Sequence, residues 1–222
     1  MSPIVALLPI KGHSERVPGK NFRPFSGKPL FRWILDTLLE LQEISFVVIN
    51  TDARFSLEEC GVKESERVKI RDRNPAICGD FVSINLILQD DISAFSADTY
   101  LMTHATNPLL SSATIRAAIQ CYQTGLGAGH DSLFTVNRYQ SRFYYGNGTP
   151  LNHDPSRLIR TQDLDPIFEE NSNLYLFTKK SFMKAGNRIG NKPCMMVTPP
   201  YESLDIDDQG SWDFAERLAR SR

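Results

Sequence analysis

Ile4 to Ile10 is a short, nearly continuous apolar run that stops at a Gly-containing polar segment, the pattern of a strand buried on both faces. Beyond that segment, Pro29 stands where a first helical turn tolerates proline. Leu30, Ile34, Leu38 and Leu41 then recur at helical spacing through Gln42, which predicts a helix packed on a sheet. Ile44 to Asn50 is a β-branched run and predicts a second strand, followed by a short helix from Phe55 to Cys60 closed by Gly61. The pattern continues with a short strand at Val68 to Ile70, a helix at Ser83 to Phe95 and a buried strand at Thr99 to Thr103. A helix from Ser111 to Tyr122 follows, with Ser111, Ser112 and Thr114 able to cap its free N–H groups. Strands alternating with helices at these lengths imply a largely parallel sheet with right-handed crossovers. From Asn137 the periodicity weakens. Arg138 to Asn173 is rich in aromatic, Asn, Gly and Pro positions and predicts hairpins and loops that form a lid or dimer arm. Order returns with a strand at Leu174 to Phe177, a helix at Lys179 to Ala185, a strand at Met195 to Thr198 and a terminal helix at Trp212 to Ala219. The expectation is one α/β domain over residues 1–222, with 138–173 as an insertion.

Charge changes this picture by what it removes. The 222 residues hold 25 Lys and Arg against 26 Asp and Glu, a net of −1, so no global basic field exists to hold a nucleic-acid backbone. Any anion site must be local. Cys60, Cys78, Cys121 and Cys194 show no CxxC spacing, which argues against a zinc knuckle or a disulfide framework and for reduced thiols in a cytoplasm. No basic leader precedes the first apolar run and no stretch approaches the ~18 apolar residues of a membrane span, so neither secretion nor membrane insertion is expected.

The candidate chemistry begins after the first strand. Lys11-Gly12-His13-Ser14-Glu15-Arg16-Val17-Pro18-Gly19-Lys20-Asn21 gathers three cations and two glycines at the carboxyl end of a strand, where ligands of open α/β sheets collect. Such a loop can wrap a polyphosphate with ammonium, guanidinium and backbone N–H donors. It has neither the GxxxxGK[ST] of a P-loop nor the GxGxxG of a dinucleotide fold. The second sharp signal is Asp205-Ile206-Asp207-Asp208, because carboxylates two apart on an extended segment share one face and offer hard oxygens suited to magnesium. An exposed solvated turn and a cap for the last helix are the plainer readings of the two segments, and Asp208 suits the cap.

The string ALLPIKGHSERVPGKNFRPFSGKPL resembles the opening of the CMP-sugar synthetases, the family of acylneuraminate and 3-deoxy-manno-octulosonate cytidylyltransferases, and is nearest the acylneuraminate enzymes. The likeness continues through Asn50-Thr51-Asp52, Arg73 with Asp80, Thr103-His104-Ala105-Thr106-Asn107-Pro108-Leu109, Arg160-Thr161-Gln162-Asp163-Leu164, Asn171 with Tyr175, and Leu204-Asp205-Ile206-Asp207. It implies a three-layer α/β/α fold of the nucleotide-diphospho-sugar transferase type, with a mostly parallel doubly wound sheet. The implied reaction joins CTP to the anomeric hydroxyl of a 2-keto-3-deoxy acid sugar, giving a CMP-sugar and pyrophosphate, with Mg2+ as cofactor and a homodimer as the working unit.

By the same resemblance Lys11, Arg16 and Lys20 match the triphosphate loop and are the expected catalytic cations. Ser14, Asn21, Arg73, Asp80 and Ser83 match or adjoin the nucleotide pocket, and Asp205 and Asp207 match the metal pair. A substrate carboxylate calls for a guanidinium, for which Arg160 and Arg142 are the candidates; His104, Asn171 and Tyr175 complete the expected sugar edge. The chain departs from relatives in having Arg160-Thr161-Gln162-Asp163 where Arg-Arg-Gln-Asp is frequent, and Asn171-Ser172-Asn173 where Asn-Gly-Ala is common. Both changes fall at the pocket wall that decides which sugar fits. A sugar-1-phosphate nucleotidyltransferase and a catalytically silent nucleotide-binding protein are the alternatives.

Overall fold

The computed structural model describes residues 3–221. Its centre is a seven-stranded sheet built on β1 (Ile4–Leu7), whose side chains are buried on both faces. Val5 and Leu7 pack into one apolar cluster while Ala6 joins another, so the unbroken hydrophobic run serves two cores at once. Beyond β1 lie β4 (Ile44–Thr51) and β5 (Val68–Asp72) on one side and β6 (Thr99–Thr103) on the other, all four parallel. β8 (Ile167–Phe177) runs antiparallel to β6 and to β7 (Ser132–Tyr139), and β9 (Pro193–Val197) pairs parallel with β7 at the far edge. The order is β5-β4-β1-β6-β8-β7-β9, and a two-residue pairing of β2 (Pro24–Phe25) with β3 (Lys28–Pro29) stands apart.

Helices cover both faces. α1 (Leu30–Leu39), α2 (Arg54–Glu59) and α4 (Ser112–Gly127) bury Phe31, Ile34, Leu57, Ile115 and Ile119 in one cluster. α3 (Ile84–Ala94) and α5 (Lys179–Ala185) bury Leu88, Ile92 and Phe182 in the other. α6 (Gln209–Arg220) lays Trp212, Ala215 and Ala219 on Val17, Phe25, Leu30 and Ile206. This third cluster ties the end of the described chain to the loop that follows β1.

The expected alternation of strands and helices is thus present, with three extensions. α4 continues to Gly127, β7 occupies a stretch for which the pattern predicts no element, and β8 starts at Ile167 rather than Leu174. The irregular region is therefore partly a hairpin arm: β7 pairs through Tyr139 with the first half of β8, and Tyr144 bridges Pro150 beyond it. Among the described residues no helix is long and apolar enough to cross a membrane, and all four cysteines are free.

Candidate active site

Because β1, β4, β5 and β6 are parallel, the loops after them open at one end of the sheet. Lys11 follows β1, Arg73 follows β5 and His104 follows β6. The segment 204–207 docks against the loop after β6, with Ile206 N–H donating to the Thr106 carbonyl at 3.0 Å and Asn107 Nδ2 to the Leu204 carbonyl at 3.4 Å. The walls so formed enclose a cavity of about 430 Å³ that includes Lys11, Ser14, Arg16, Lys20, Asn21, Arg73, Asp80, His104, Asp205 and Asp207.

The loop after β1 is fixed from within. Gly19 takes φ +64°, which lets its carbonyl accept the N–H groups of Phe22 and Arg23, each at 3.0 Å. Asn21 Nδ2 closes the loop on the Lys11 carbonyl at 2.8 Å, and Val17 is buried under α6. Lys20 is thereby carried inward until it is 8% exposed, with Nζ donating to the Ile206 carbonyl and 3.7 Å from Asp207 Oδ1. Burial lowers its proton affinity from the usual lysine range, and the Asp205 and Asp207 carboxylates oppose that shift. Arg16 NH2 reaches the same Asp207 Oδ1 at 2.8 Å, while Lys11 Nζ pairs with Asp80 Oδ1 at 2.7 Å.

Asp205 and Asp207 differ in surroundings. Asp207 has its two cations. Asp205 bonds to Thr106, is pushed above the usual carboxylate range by burial, and keeps a buried Oδ1 with no hydrogen-bond partner. Buried polar atoms without partners are costly, so an orphaned hard oxygen beside a second carboxylate fits a divalent cation. Among the described residues no three His, Cys, Asp or Glu are arranged to hold a metal ion together, so these two carboxylates would need phosphate oxygens and water to complete an octahedral shell.

At the cavity base Arg73 is a hub. Its Nε donates to Asn50 Oδ1 at 2.9 Å and its NH2 to the carbonyls of Asn50 at 2.9 Å and Ile10 at 3.2 Å. Asn50 in turn donates to the buried Asp91 Oδ1 at 2.7 Å. His104 is half-buried with a partnerless Nε2; burial, together with the charges of Arg188 and Lys20, lowers its pKa to about 3, so the imidazole is neutral.

The remaining expected residues lie elsewhere. Ser83 is exposed and accepts the Asn85 N–H at 3.3 Å as the cap of α3. Arg142 donates to the Ile159 carbonyl within the arm, and Arg160 forks onto Asp163 on the arm's surface. Both guanidiniums are spent where the chain folds on itself locally. Asn171 is buried and committed to Thr135, Asn137 and Thr198, which fastens β8 to its neighbours. Tyr175 is buried with its hydroxyl on Glu170 and Arg188. Sequence reasoning passed over Asn50, Thr106 and Asp91 as site residues. Asp91 did leave a signal, as a carboxylate within the Ile87, Leu88, Ile92 stripe of α3.

A family model described as Cytidylyltransferase matches residues 5–218. The N-acylneuraminate cytidylyltransferase A of Danio rerio is 27% identical over 222 residues, which cover 96% of this chain and 50% of that protein. The chain therefore spans about half the length of that relative. The pseudaminic acid cytidylyltransferase of Campylobacter jejuni is 24% identical over 225 residues, covering 96% of this chain and 95% of its own. A solved CMP:2-keto-3-deoxy-manno-octonic acid synthetase complexed with CTP superposes with a TM-score of 0.69 at 14% identity over 99% of both chains, which shows the fold. With a match running from β1 through α6, and so across every wall of the cavity, the chain belongs to the cytidylyltransferase family.

Proposed function

We propose that this chain transfers the cytidylyl group of CTP to the anomeric hydroxyl of a 2-keto-3-deoxy acid sugar of the nonulosonic, sialic-acid-like class, releasing pyrophosphate, with magnesium as cofactor. The observation that carries the reading is the meeting of Lys11, Arg16 and Lys20 with Asp205 and Asp207 in one cavity at the carboxyl ends of parallel strands. The names of the acylneuraminate and pseudaminic acid enzymes support the substrate class. Exposed Tyr139, Tyr144, Tyr145 and Phe168 on the arm support pairing with a second copy.

Attack of a hydroxyl oxygen on the α-phosphorus leaves charge on the departing pyrophosphate, so the demand on the protein is for positioned cations. Lys20 meets it best, since its buried Nζ is held in place before any phosphate arrives and has little water to shed. Lys11 and Arg16, more exposed and paired with Asp80 and Asp207, can exchange those carboxylates for phosphate oxygens. Asp205 and Asp207 would hold magnesium, which when bound supplies Lewis-acid charge to the phosphates. His104, neutral at physiological pH, offers the acceptor sugar one donor and one acceptor without adding charge beside the phosphates.

The test is pyrophosphate release from CTP with a panel of 2-keto-3-deoxy acids, and with aldose 1-phosphates as the competing class. Turnover is expected with the acids alone. Lys20→Ala and Asp207→Ala should each lower kcat/KM by about 100-fold or more, the usual cost of removing a preorganised charge from a developing oxyanion. Unchanged rates in both variants, or turnover with the aldose phosphates only, would overturn the reading.

A further inference from the structure

A second cavity, of about 530 Å³, shares no residue with the first. It is a groove between the C-terminal half of α4 and β9, walled by small side chains and by Cys121 and Cys194. The pattern along each element brings these two thiols together. Ala118, Tyr122 and Gly125 recur at helical spacing on the face of α4 that packs on the sheet, and the half-buried Cys121 stands at the flank of that stripe. On β9, Cys194 pairs with Leu133 of β7, so its side chain lies on the sheet face that Leu133 presents to α4. Gly125, four positions after Cys121 and so one turn along the same face, leaves the notch that Cys194 enters. A Cβ at Gly125 would stand 3.0 Å from Cys194 Sγ. The start of β9 is pinned there as well. Asp131 accepts the N–H groups of Asn191 and Lys192 at 3.0 and 2.9 Å, and its own N–H donates to the Lys192 carbonyl at 3.0 Å. Burial pushes the Cys194 thiol up to about 11, and the Cys121 thiol, within side-chain hydrogen-bonding reach, adds to that shift.

We propose that Cys121 and Cys194 are a dithiol pair that a low-molecular-weight disulfide of the glutathione class oxidises, giving a disulfide that joins α4 to the edge strand β9. In the first step the Cys121 thiolate attacks one sulfur of the oxidised glutathione. A bond forms between the two sulfurs as the glutathione S–S bond breaks, and one glutathione leaves with the electron pair. In the second step the Cys194 sulfur attacks the Cys121 sulfur of this mixed disulfide and expels the other glutathione. The chain gives up two electrons and two protons, and one oxidised glutathione becomes two reduced molecules, so the exchange balances with no further reactant. The order of attack follows from the surroundings. A thiol raised as far as that of Cys194 stays protonated and is a poor first nucleophile, but once Cys121 carries the adduct it attacks a neighbour already in place. Cys60 and Cys78 do not line the groove, which leaves them outside the exchange. The pairing leaves no spacing signal in the sequence, because helix and strand meet only in the folded sheet.

The experiment treats the reduced chain with excess oxidised glutathione, with and without denaturing urea, and maps the products by mass spectrometry of non-reduced peptides. From the folded chain the Cys121–Cys194 disulfide is expected to exceed every other intramolecular disulfide by at least about 10-fold, the advantage of thiols held side by side. In urea that preference should vanish. Cys194→Ser should stop at a glutathione adduct on Cys121, and Cys121→Ser should leave Cys194 unmodified. A folded wild type that stays reduced, that stops at glutathione adducts, or that links Cys60 or Cys78 as readily overturns the proposal. The same preference in urea overturns it too, since the sequence rather than the fold would then choose the partners. An adduct on Cys194 in the Cys121→Ser variant would reverse the order of attack and overturn the assignment of Cys121 as first nucleophile.

Discussion

Gly12 illustrates how little room the phosphate loop has. Its N–H donates to Asp52 Oδ1 at 2.7 Å, and a Cβ at this position would stand 2.8 Å from the Cβ of Ala53, closer than two carbons tolerate. The backbone after β1 therefore lies directly against the loop after β4, and nothing larger than glycine keeps it there. Gly12→Ala should push the loop outward, raising KM for CTP several-fold, with a stability loss of about 1–3 kcal/mol typical of overpacking. Urea unfolding and steady-state kinetics would check both numbers; an unchanged KM would mean that the loop does not position the nucleotide. At this scale the sequence was legible wherever a residue's chemistry showed in its own neighbourhood. Lys11, Arg16 and Lys20 stand together in one short basic segment, and all three line the cavity. Asn50 and Asp91 are 41 positions apart and meet only through the packing of α3 on β4, so nothing local betrays that they hold Arg73 from beneath.

Elements position what residues supply, and α6 is the clearest instance. Asp208 caps it, as its place in the acidic run suggested, by accepting the Ser211 N–H at 2.7 Å. Ser211 Oγ answers by accepting the N–H groups of both Asp207 and Asp208 at 2.9 Å. This capping box reaches one residue past the helix and clamps the backbone that carries the proposed metal ligand. Ser211→Ala should cost about 1 kcal/mol of stability. It should also raise the magnesium concentration needed for half-maximal pyrophosphate release, which no ordinary surface serine would do. Magnesium titration beside thermal melts would separate the two effects, and a melt shift without a magnesium shift would confine Ser211 to capping. Elements whose burial imposes a period were legible in the sequence, and those without it were not. The apolar runs of β1, β4 and β6 face cores on both sides. The start of β8 reads Ile-Phe-Glu-Glu because it belongs to the arm, where Phe168, Glu169 and Glu170 are exposed and no core demands alternation, while the Asn171 and Asn173 that follow are buried as polar groups and leave no apolar signal.

Across the whole molecule, two ionisable groups, the buried Asp91 and the half-buried His104, give the fold opposing responses to pH. Asp91 has no exposed surface, keeps Oδ2 unpartnered, and is held by burial at a pKa of about 7 against an ordinary 3.8, although Asn50 and Arg71 favour its charge. Between those values the folded chain binds a proton that the unfolded chain has released, so stability falls as pH rises. His104 is lowered to about 3 from 6.5, and between those values only the unfolded chain is protonated, so stability rises with pH. The two windows overlap almost completely. A tenfold change in proton affinity is about 1.4 kcal/mol, so each group alone would tilt stability by on the order of 4 kcal/mol across its window. Together they largely cancel, with Asp205, also raised by burial, adding to the falling side. Urea unfolding of the wild type from pH 4 to 6.5 should accordingly show a shallow profile. Asp91→Asn, which keeps an acceptor for Asn50 but no titration, should leave the His104 response exposed and make stability climb steeply with pH. His104→Gln should do the reverse and make it decline. Parallel profiles in all three proteins would show that neither group is held away from its ordinary range, and that the cavity base is wetter than its hydrogen bonds imply.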